Sequence, residues 1–390
     1  MTSRFPSEQA ASVLWICAAA TCILFAATPM GNCVKKNRSM TADSMREERR
    51  KYMERFTASV GLINQGATCF LNTLLQTWFL TPEVKQSIYK LNSNVAFVRE
   101  LQNLFNKLES KEEKYIRTNE LTMSLQLNVF KQLDIEEFFR NLINKLNAEV
   151  GQGDNILKLY QITMVQSMKC SVCEELVTED CFFLDLPLSI FSPDSSSEIK
   201  SLEESLKMFL EAVTLDYDNA PYCDTCNKKT KTKTRYYFKQ LPQLLTFQLK
   251  RFGVASNGKH YQKIHLQISI PLTLQFYKSL DNANEWCFKP TIAKVEKYEL
   301  FAIWHHVGEY ECGHYYAEIK CGNCWYIFND EKIDKQKKKE NSFRSKTAYL
   351  IMYRRQNSEK QDNNSQNCPR ILGADAGYRQ QHINQYSLES

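Results

Sequence analysis

Charge of one sign is in short supply in this sequence. Against 50 lysines and arginines stand 44 aspartates and glutamates, a formal net charge of +6 over 390 residues. So mild an excess lacks the electrostatic footprint of a nucleic-acid binder. The strongest basic run, Lys228-Lys229-Thr230-Lys231-Thr232-Lys233-Thr234-Arg235, alternates lysine with threonine. It reads as a strand with one solvated face. Histidine is scarcer still, six in all, so chemistry that needs an imidazole has few places to reside. No internal repeat is present, and no alternation of strand and helix patterns, which excludes a doubly wound parallel sheet. Helical patterns come first and strand patterns later, the order of an α+β fold.

Long apolar runs are also lacking, with one exception. Residues 10–28 form an uncharged, mostly apolar stretch, AASVLWICAAATCILFAAT. Its length is that of a membrane-spanning helix or of a signal peptide. Lys35, Lys36 and Arg38 follow it, whereas Arg4 and the amino terminus stand against Glu8 before it. As an anchor, it would leave the downstream chain in the cytosol. The third reading is a segment unrelated to the mature protein. The fourteen cysteines include CxxC pairs, which fit metal ligands or reactive thiols of a reducing compartment better than disulfides. The expectation is therefore a domain in the cytosol or nucleus, membrane-anchored through residues 10–28 if that segment is an anchor, and monomeric. The chain divides into an apolar segment and charged linker (1–57), a globular part (58–355) and a polar tail (356–390) whose composition predicts disorder.

Within the globular part, Leu71, Leu74, Leu75, Trp78 and Phe79 make one helical stripe. Thr81-Pro82-Glu83 restarts a helix, with Thr as cap and Pro at the first position. Ile135, Phe138, Phe139, Leu142, Ile143 and Leu146 make a further stripe. Strand patterns cover Tyr236 to Lys239, Leu244 to Leu249, Leu300 to Ile303, Tyr315 to Ile319, Trp325 to Phe328 and Ala348 to Tyr353. In Cys321-Gly322-Asn323-Cys324 the central Gly-Asn predicts a hairpin turn.

Two stretches carry nucleophilic chemistry. In Gly61-Leu62-Ile63-Asn64-Gln65-Gly66-Ala67-Thr68-Cys69-Phe70-Leu71-Asn72 a loop runs into the first helix, with Cys69 at the junction. The free N–H groups and partial positive charge of a helix start favour a thiolate, and the same N–H groups can donate to an oxyanion. Asn64 offers a side-chain amide for the same purpose. A buried structural cysteine is the plainer reading of a lone Cys, so a base is needed. It is offered by His314, where a glycine-bearing loop enters an apolar strand. The following strand, Trp325 to Asp330, brings Asn329 or Asp330 near that ring to orient it.

Together these stretches resemble the ubiquitin-specific protease family. The family's cysteine box, roughly GLxNxGxTCxxNxxLQ, is matched by residues 61–76. Its histidine box, roughly YxLxAxxxHxGxxxxGHY, is matched by Tyr298, Leu300, Ala302, His306, Gly308, Gly313, His314 and Tyr315. WYxFxD and AYxLxY follow at Trp325 to Asp330 and Ala348 to Tyr353, and Gln240 to Phe252 is similar to LPxxLxxxLKRF. The resemblance covers about residues 58–355. It implies a papain-like fold of thumb (about 58–165), fingers (about 166–240) and palm (about 241–355). It implies Cys69 as nucleophile, His314 as general base, Asn329 as third member, Asn64 as oxyanion donor and Asp330 in support. Asn329 departs from the family's commoner Asp. It can accept an imidazole N–H but cannot offset imidazolium charge.

The resemblance extends to Gln132-Leu133-Asp134-Ile135-Glu136-Glu137-Phe138, where the family has QQDAQEF. There Asp134 and Glu137 would grip the basic tail of ubiquitin. A solvated acidic helix start is the alternative, and Leu133 and Glu136 depart from the family's Gln. Cys170-Ser171-Val172-Cys173 and Cys223-Asp224-Thr225-Cys226 form two CxxC knuckles. Four thiolates suit a structural Zn²⁺, or else stand as unmetallated thiols. In the family this site ties the tip of the fingers, and no catalytic cofactor is implied. The reading that follows is a thiol-dependent deubiquitinase with ubiquitin or ubiquitin-conjugated proteins as partner. The alternatives are a protease for another ubiquitin-like modifier, a non-catalytic ubiquitin-binding protein and, least supported, a zinc-ribbon nucleic-acid binder.

Overall fold

The computed structural model describes residues 59–356, apart from 93, 151–155, 192–197, 255–260, 279–285, 288–294, 310–311 and 337–341. The apolar segment 10–28 and the tail beyond 356 lie outside the described residues. Among the described residues no helix is long and apolar enough to cross a membrane. The expectation of a membrane anchor, and the membrane localisation built on it, is corrected accordingly. The apolar run is long enough to span a bilayer, but length and composition are a necessary condition and nothing in the described fold adds to it.

The fold is α+β. Helices Cys69–Phe79, Pro82–Tyr89, Ala96–Ser110, Asn119–Ser124, Ile135–Val150 and Ile156–Tyr160 fill the first part. The stripe from Leu71 to Trp78 is buried on the first of these, and the Ile135 stripe is buried on the fifth. Thr81 precedes Pro82 as expected, but its hydroxyl donates backwards to Thr77 O at 2.7 Å. It makes no side-chain cap, because in its buried position the free carbonyl one turn back is the nearer partner.

The second part is built on one large sheet. From one edge its strands are Lys332–Lys335, Cys324–Asn329, Gly313–Cys321, Val295–Gly308, Thr273–Lys278, Trp286–Cys287, Thr232–Gln240, Ile162–Cys170 and Leu176–Phe183. Ala348–Arg355 branches from Val295–Gly308, and Leu244–Leu249 pairs antiparallel with it. The branch explains why Ala348 to Tyr353 is an unbroken apolar run. Alternate side chains point to opposite faces, and here both faces are covered. Leu350 and Met352 join the core against the helices, whereas Ile351 and Tyr353 join a second core on the far side with Leu245, Phe247 and Leu300.

The lysine–threonine run behaves as its period predicts. Thr230 and Thr232 are buried, while Lys228, Lys229, Lys231, Lys233 and Arg235 are exposed. The turn at Gly322-Asn323 closes a hairpin with Cys321 opposite Cys324, and Gly322 takes φ +62° there. Apart from Leu244–Leu249, which keeps its expected bounds, the strands extend their sequence patterns by a few residues, since backbone pairing continues after side-chain alternation stops.

Candidate active site

Cys69 is the first residue of its helix, after Thr68. The loop before it is folded around one side chain. Asn64 Oδ1 accepts from Gly66 N at 3.0 Å, Thr68 N at 3.1 Å and Thr68 Oγ1 at 3.2 Å. Gly66 has φ +138°, and a Cβ there would lie 3.1 Å from both Phe130 Cδ1 and Val129 O, so the turn needs glycine. The cysteine sulfur is buried. It accepts from Tyr315 N at 3.4 Å and lies 3.8 Å from Gln132 Nε2.

His314 approaches from the hairpin formed by Val295–Gly308 and Gly313–Cys321, where it pairs with Val307. Its Nε2 is 2.6 Å from Asn329 Oδ1 and 3.9 Å from Asp330 Oδ2. With Nε2 given to Asn329, the other ring nitrogen serves the thiol. The hydrogen bond with Cys69 is the largest cause raising the His314 pKa to about 9; burial opposes it, and Asn329, the Cys69 charge and Asp330 support it. An imidazole held in this way stores the proton that a thiol gives up, the condition for a thiolate–imidazolium pair.

Asp330 is buried beneath the site. Its Oδ2 accepts from Asn64 Nδ2 at 3.0 Å and its Oδ1 from Asn72 Nδ2 at 2.8 Å. Burial raises its pKa, while these amides and the His314 charge oppose the rise. The turn carrying Asp330 also accepts from Leu62 N, at Asp330 O, and from Asn64 N, at Glu331 Oε1. The cysteine loop and the histidine side are thereby tied to one another directly.

Asp134 does not project freely. Its Oδ1 accepts from Glu136 N at 2.8 Å and Glu137 N at 3.2 Å, and its Oδ2 accepts from Tyr349 Oη at 2.8 Å. Glu137 is exposed. Sequence reasoning missed three groups nearby. Gln132 donates to Gly313 O at 2.8 Å and accepts from Gly313 N at 3.0 Å, a paired amide bond across the seam beside the sulfur. Asn72 holds Asp330. Arg140 bonds buried Asp185 through two nitrogens at 2.8 Å each and also pairs with Glu136. Gln132 and Asn72 both sit inside the family motifs, so their positions were the available signal. Arg140 and Asp185 had none.

At the far end of the sheet, Cys170, Cys173, Cys223 and Cys226 bring their sulfurs within 4.8 Å of one another. Two of the separations are 3.9 Å, Cys170 to Cys226, and 3.6 Å, Cys173 to Cys223. Four thiolates about 2.3 Å from a tetrahedral zinc stand about 3.8 Å apart. The four residues therefore fit a structural Zn²⁺ in spacing and in donor type.

A buried thiol at a helix start, an imidazole on it and an amide oxygen behind the imidazole define the class of papain-like cysteine hydrolases. The comparisons carry this to a family. The sequence model described as ubiquitin carboxyl-terminal hydrolase matches residues 60–353, and the chain belongs to that family of thiol-dependent hydrolases. It is 29% identical to ubiquitin carboxyl-terminal hydrolase 47 of Drosophila melanogaster, over 78% of this chain and 25% of that one. It is 31% identical to ubiquitin carboxyl-terminal hydrolase 48 of Danio rerio, over 72% and 28%. It is 30% identical to human Ubl carboxyl-terminal hydrolase 18, over 75% and 84%. The match thus spans about a quarter of the two larger relatives and most of the third.

Proposed function

We propose that the chain hydrolyses the isopeptide or peptide bond after the C-terminal glycine of ubiquitin through a thiol acyl-enzyme. The observation that carries this reading is the 2.6 Å contact of His314 Nε2 with Asn329 Oδ1, on a ring whose other side serves Cys69. In this reading Cys69 Sγ attacks the carbonyl carbon, and His314 delivers its proton to the departing amine as the C–N bond breaks. A water then attacks the thioester. His314 takes the water's proton, and the thiolate leaves. Asn329 fixes the ring by accepting its N–H. Asn64 has one amide hydrogen on Asp330 and the second to offer an oxyanion. Asp330 acts through Asn64 and Asn72 as a positioning residue.

The catalytic domain would span residues 58–355, with a thumb of about 58–165, fingers of about 166–240 and a palm of about 241–355. The tail of the modifier would run past Glu137 and Asp134. Three hydrogen bonds already occupy the Asp134 carboxylate, so exposed Glu137 has the larger share of the ionic contact. The zinc would hold the fingertip and take no part in the chemistry.

A second reading keeps the chemistry and changes the modifier. It is favoured by the match over 84% of a human relative named as a Ubl carboxyl-terminal hydrolase. The test is labelling of the zinc-replete chain and of Cys69→Ala with ubiquitin bearing a thiol-reactive C terminus, beside a panel of ubiquitin-like modifiers. An adduct with ubiquitin on the wild type alone supports the first reading, and an adduct only with another modifier supports the second. A folded protein that reacts with none overturns both.

A further inference from the structure

Lys263 is a buried cation that the reaction does not use. It ends the strand Tyr261–Lys263 and is 6% exposed. Its ammonium meets no carboxylate at hydrogen-bond distance among the described residues. It donates instead to two backbone carbonyls, His306 O at 2.6 Å and Gly308 O at 2.9 Å. The residue between those carbonyls is Val307, the cross-strand partner of His314. Burying an ammonium costs several kcal/mol unless it is well bonded. Such a lysine in so confined a place needs a reason.

The charged surroundings sharpen the question. Arg251, fully buried, donates to Ala348 O, Ile264 O, Leu266 O and Ser345 O. It stands on the same hairpin and repels the lysine. Glu309 is the opposing charge, and it pairs with His265 at 3.4 Å. Burial first and Arg251 second pull the Lys263 pKa down to about 8. The neighbouring His306 ring is held neutral, its pKa lowered to about 3 by burial and by Lys263.

We propose that Lys263 is a positioning residue for His314, its ammonium clamping the carbonyls on either side of Val307 and so fixing the end of Val295–Gly308 against which the strand carrying His314 pairs. Three further contacts make this end of the strand the place where a clamp matters. Gly308 has φ +99°, and a Cβ on it would lie 2.5 Å from Cys312 O, so the chain turns there with no slack. Gly313 closes the same turn and is gripped by Gln132 beside Cys69. A Cβ on Gly313 would collide with His306 Nε2 at 2.1 Å, so the His306 ring backs the turn from the side that Lys263 holds. Without the ammonium, the His306 and Gly308 carbonyls would lose their shared donor. The strand end would relax, and with it the distance from His314 to both Cys69 and Asn329.

The inference rests on His314 serving Cys69, as in the proposed function, but its test does not require that a modifier be cut. The full chain is labelled with ¹³C-histidine, and His314 is assigned by the signal missing from His314→Ala. Its titration is then followed in the wild type, Lys263→Met and Lys263→Arg, with ubiquitin-fluorophore hydrolysis measured on each. In Lys263→Met the His314 midpoint is expected to fall from near 9 towards that of an ordinary histidine, and kcat to fall about 10–100-fold with KM changed less than about threefold. Lys263→Arg, which keeps the charge and donors, restores most of both. If Lys263→Met fails to fold, Lys263→Gln, which removes the ammonium charge on a shorter polar side chain, is read in its place. An unchanged His314 titration in a folded variant overturns the proposal, even where kcat falls, because the lysine would then be structural only. A shifted titration in a protein that cleaves no modifier upholds the lysine's role and removes the proposed function instead.

Discussion

At the scale of single residues, the site depends on which atom holds which proton. An unfolded chain titrates His314 near the ordinary histidine value of 6.5 and the folded protein near 9, so the fold binds an extra proton between those values. The stabilisation from this contact is complete below pH 6.5 and is lost as pH rises through 9. Thermal midpoints measured across that range should fall more steeply for the wild type than for His314→Gln. The same proton predicts activity that persists to mildly alkaline pH and then declines. Asn329 orients the ring without charge. Asn329→Ala is expected to lower kcat about hundredfold, while Asn329→Asp stays within about tenfold of wild type; steady-state kinetics on ubiquitin-fluorophore separate the two. That Cys69, His314 and Asn329 come together was legible in the sequence, because a loop entering a helix, a scarce histidine and a hairpin partner are each local patterns. Asn72 and Gln132 were not, because an amide side chain shows no role until its partner is known. Asp330 and Gly313 lie 258 and 181 residues away from them.

At the scale of elements, the helix Ile135–Val150 and the residues just before it tie the helical part to the sheet side through polar side chains. Gln132 holds Gly313, Asp134 holds Tyr349, Glu136 lies 3.4 Å from Gln248 Nε2, and Arg140 holds Asp185. Glu136 is the element's weak point. Burial first, and the Asp185 charge second, raise its pKa to about 7 despite Arg140. A carboxyl shifted upward stabilises the fold while protonated, and that contribution is lost as pH rises from 4.5 through 7. Glu136→Gln should remove this slope, as urea denaturation at several pH values would show. Arg140→Met would strand a fully buried aspartate. Because the arginine is 41% exposed, the cost is about 2 kcal/mol, below the ~3–5 kcal/mol of a wholly buried pair. None of this was legible beforehand, since Arg140 and Asp185 belong to no motif and meet only in the fold. The strands were legible wherever alternation was clean, and Leu244–Leu249 was read to its boundaries. Val295–Gly308 was read only in part, because its polar first turn carries no period.

At the scale of the molecule, the large sheet carries His314 and Asn329 towards one edge and Cys170 towards the other, while Cys223 lies on the separate pair Tyr222–Cys223 and Lys228–Lys229. Removing the metal should loosen the knuckles first. A strong chelator is expected to release about one zinc per chain and to lower the first thermal transition. Binding of the modifier should weaken more than Cys69 reactivity towards a small alkylating agent, which compares the two ends of the sheet in one sample. Cys223→Ser should do the same without chelator. The opposite result, equal loss at both ends, would mean that the sheet transmits the disturbance.

Cys69 and the residues that complete its site are separated by most of the catalytic domain. His314 follows it by 245 positions, and Asn329 lies a further 15 along the chain. On a ribosome adding about 5–20 residues per second, the thiol leaves the tunnel some tens of seconds before its proposed base exists. The strand Ala348–Arg355, which locks Val295–Gly308 into the sheet, comes later still. A nascent chain therefore carries an unarmed cysteine, and hydrolytic competence arrives only when synthesis of the domain is all but finished. A molecule cut short in its last strand would be born inert, and order of manufacture serves here as a safety catch.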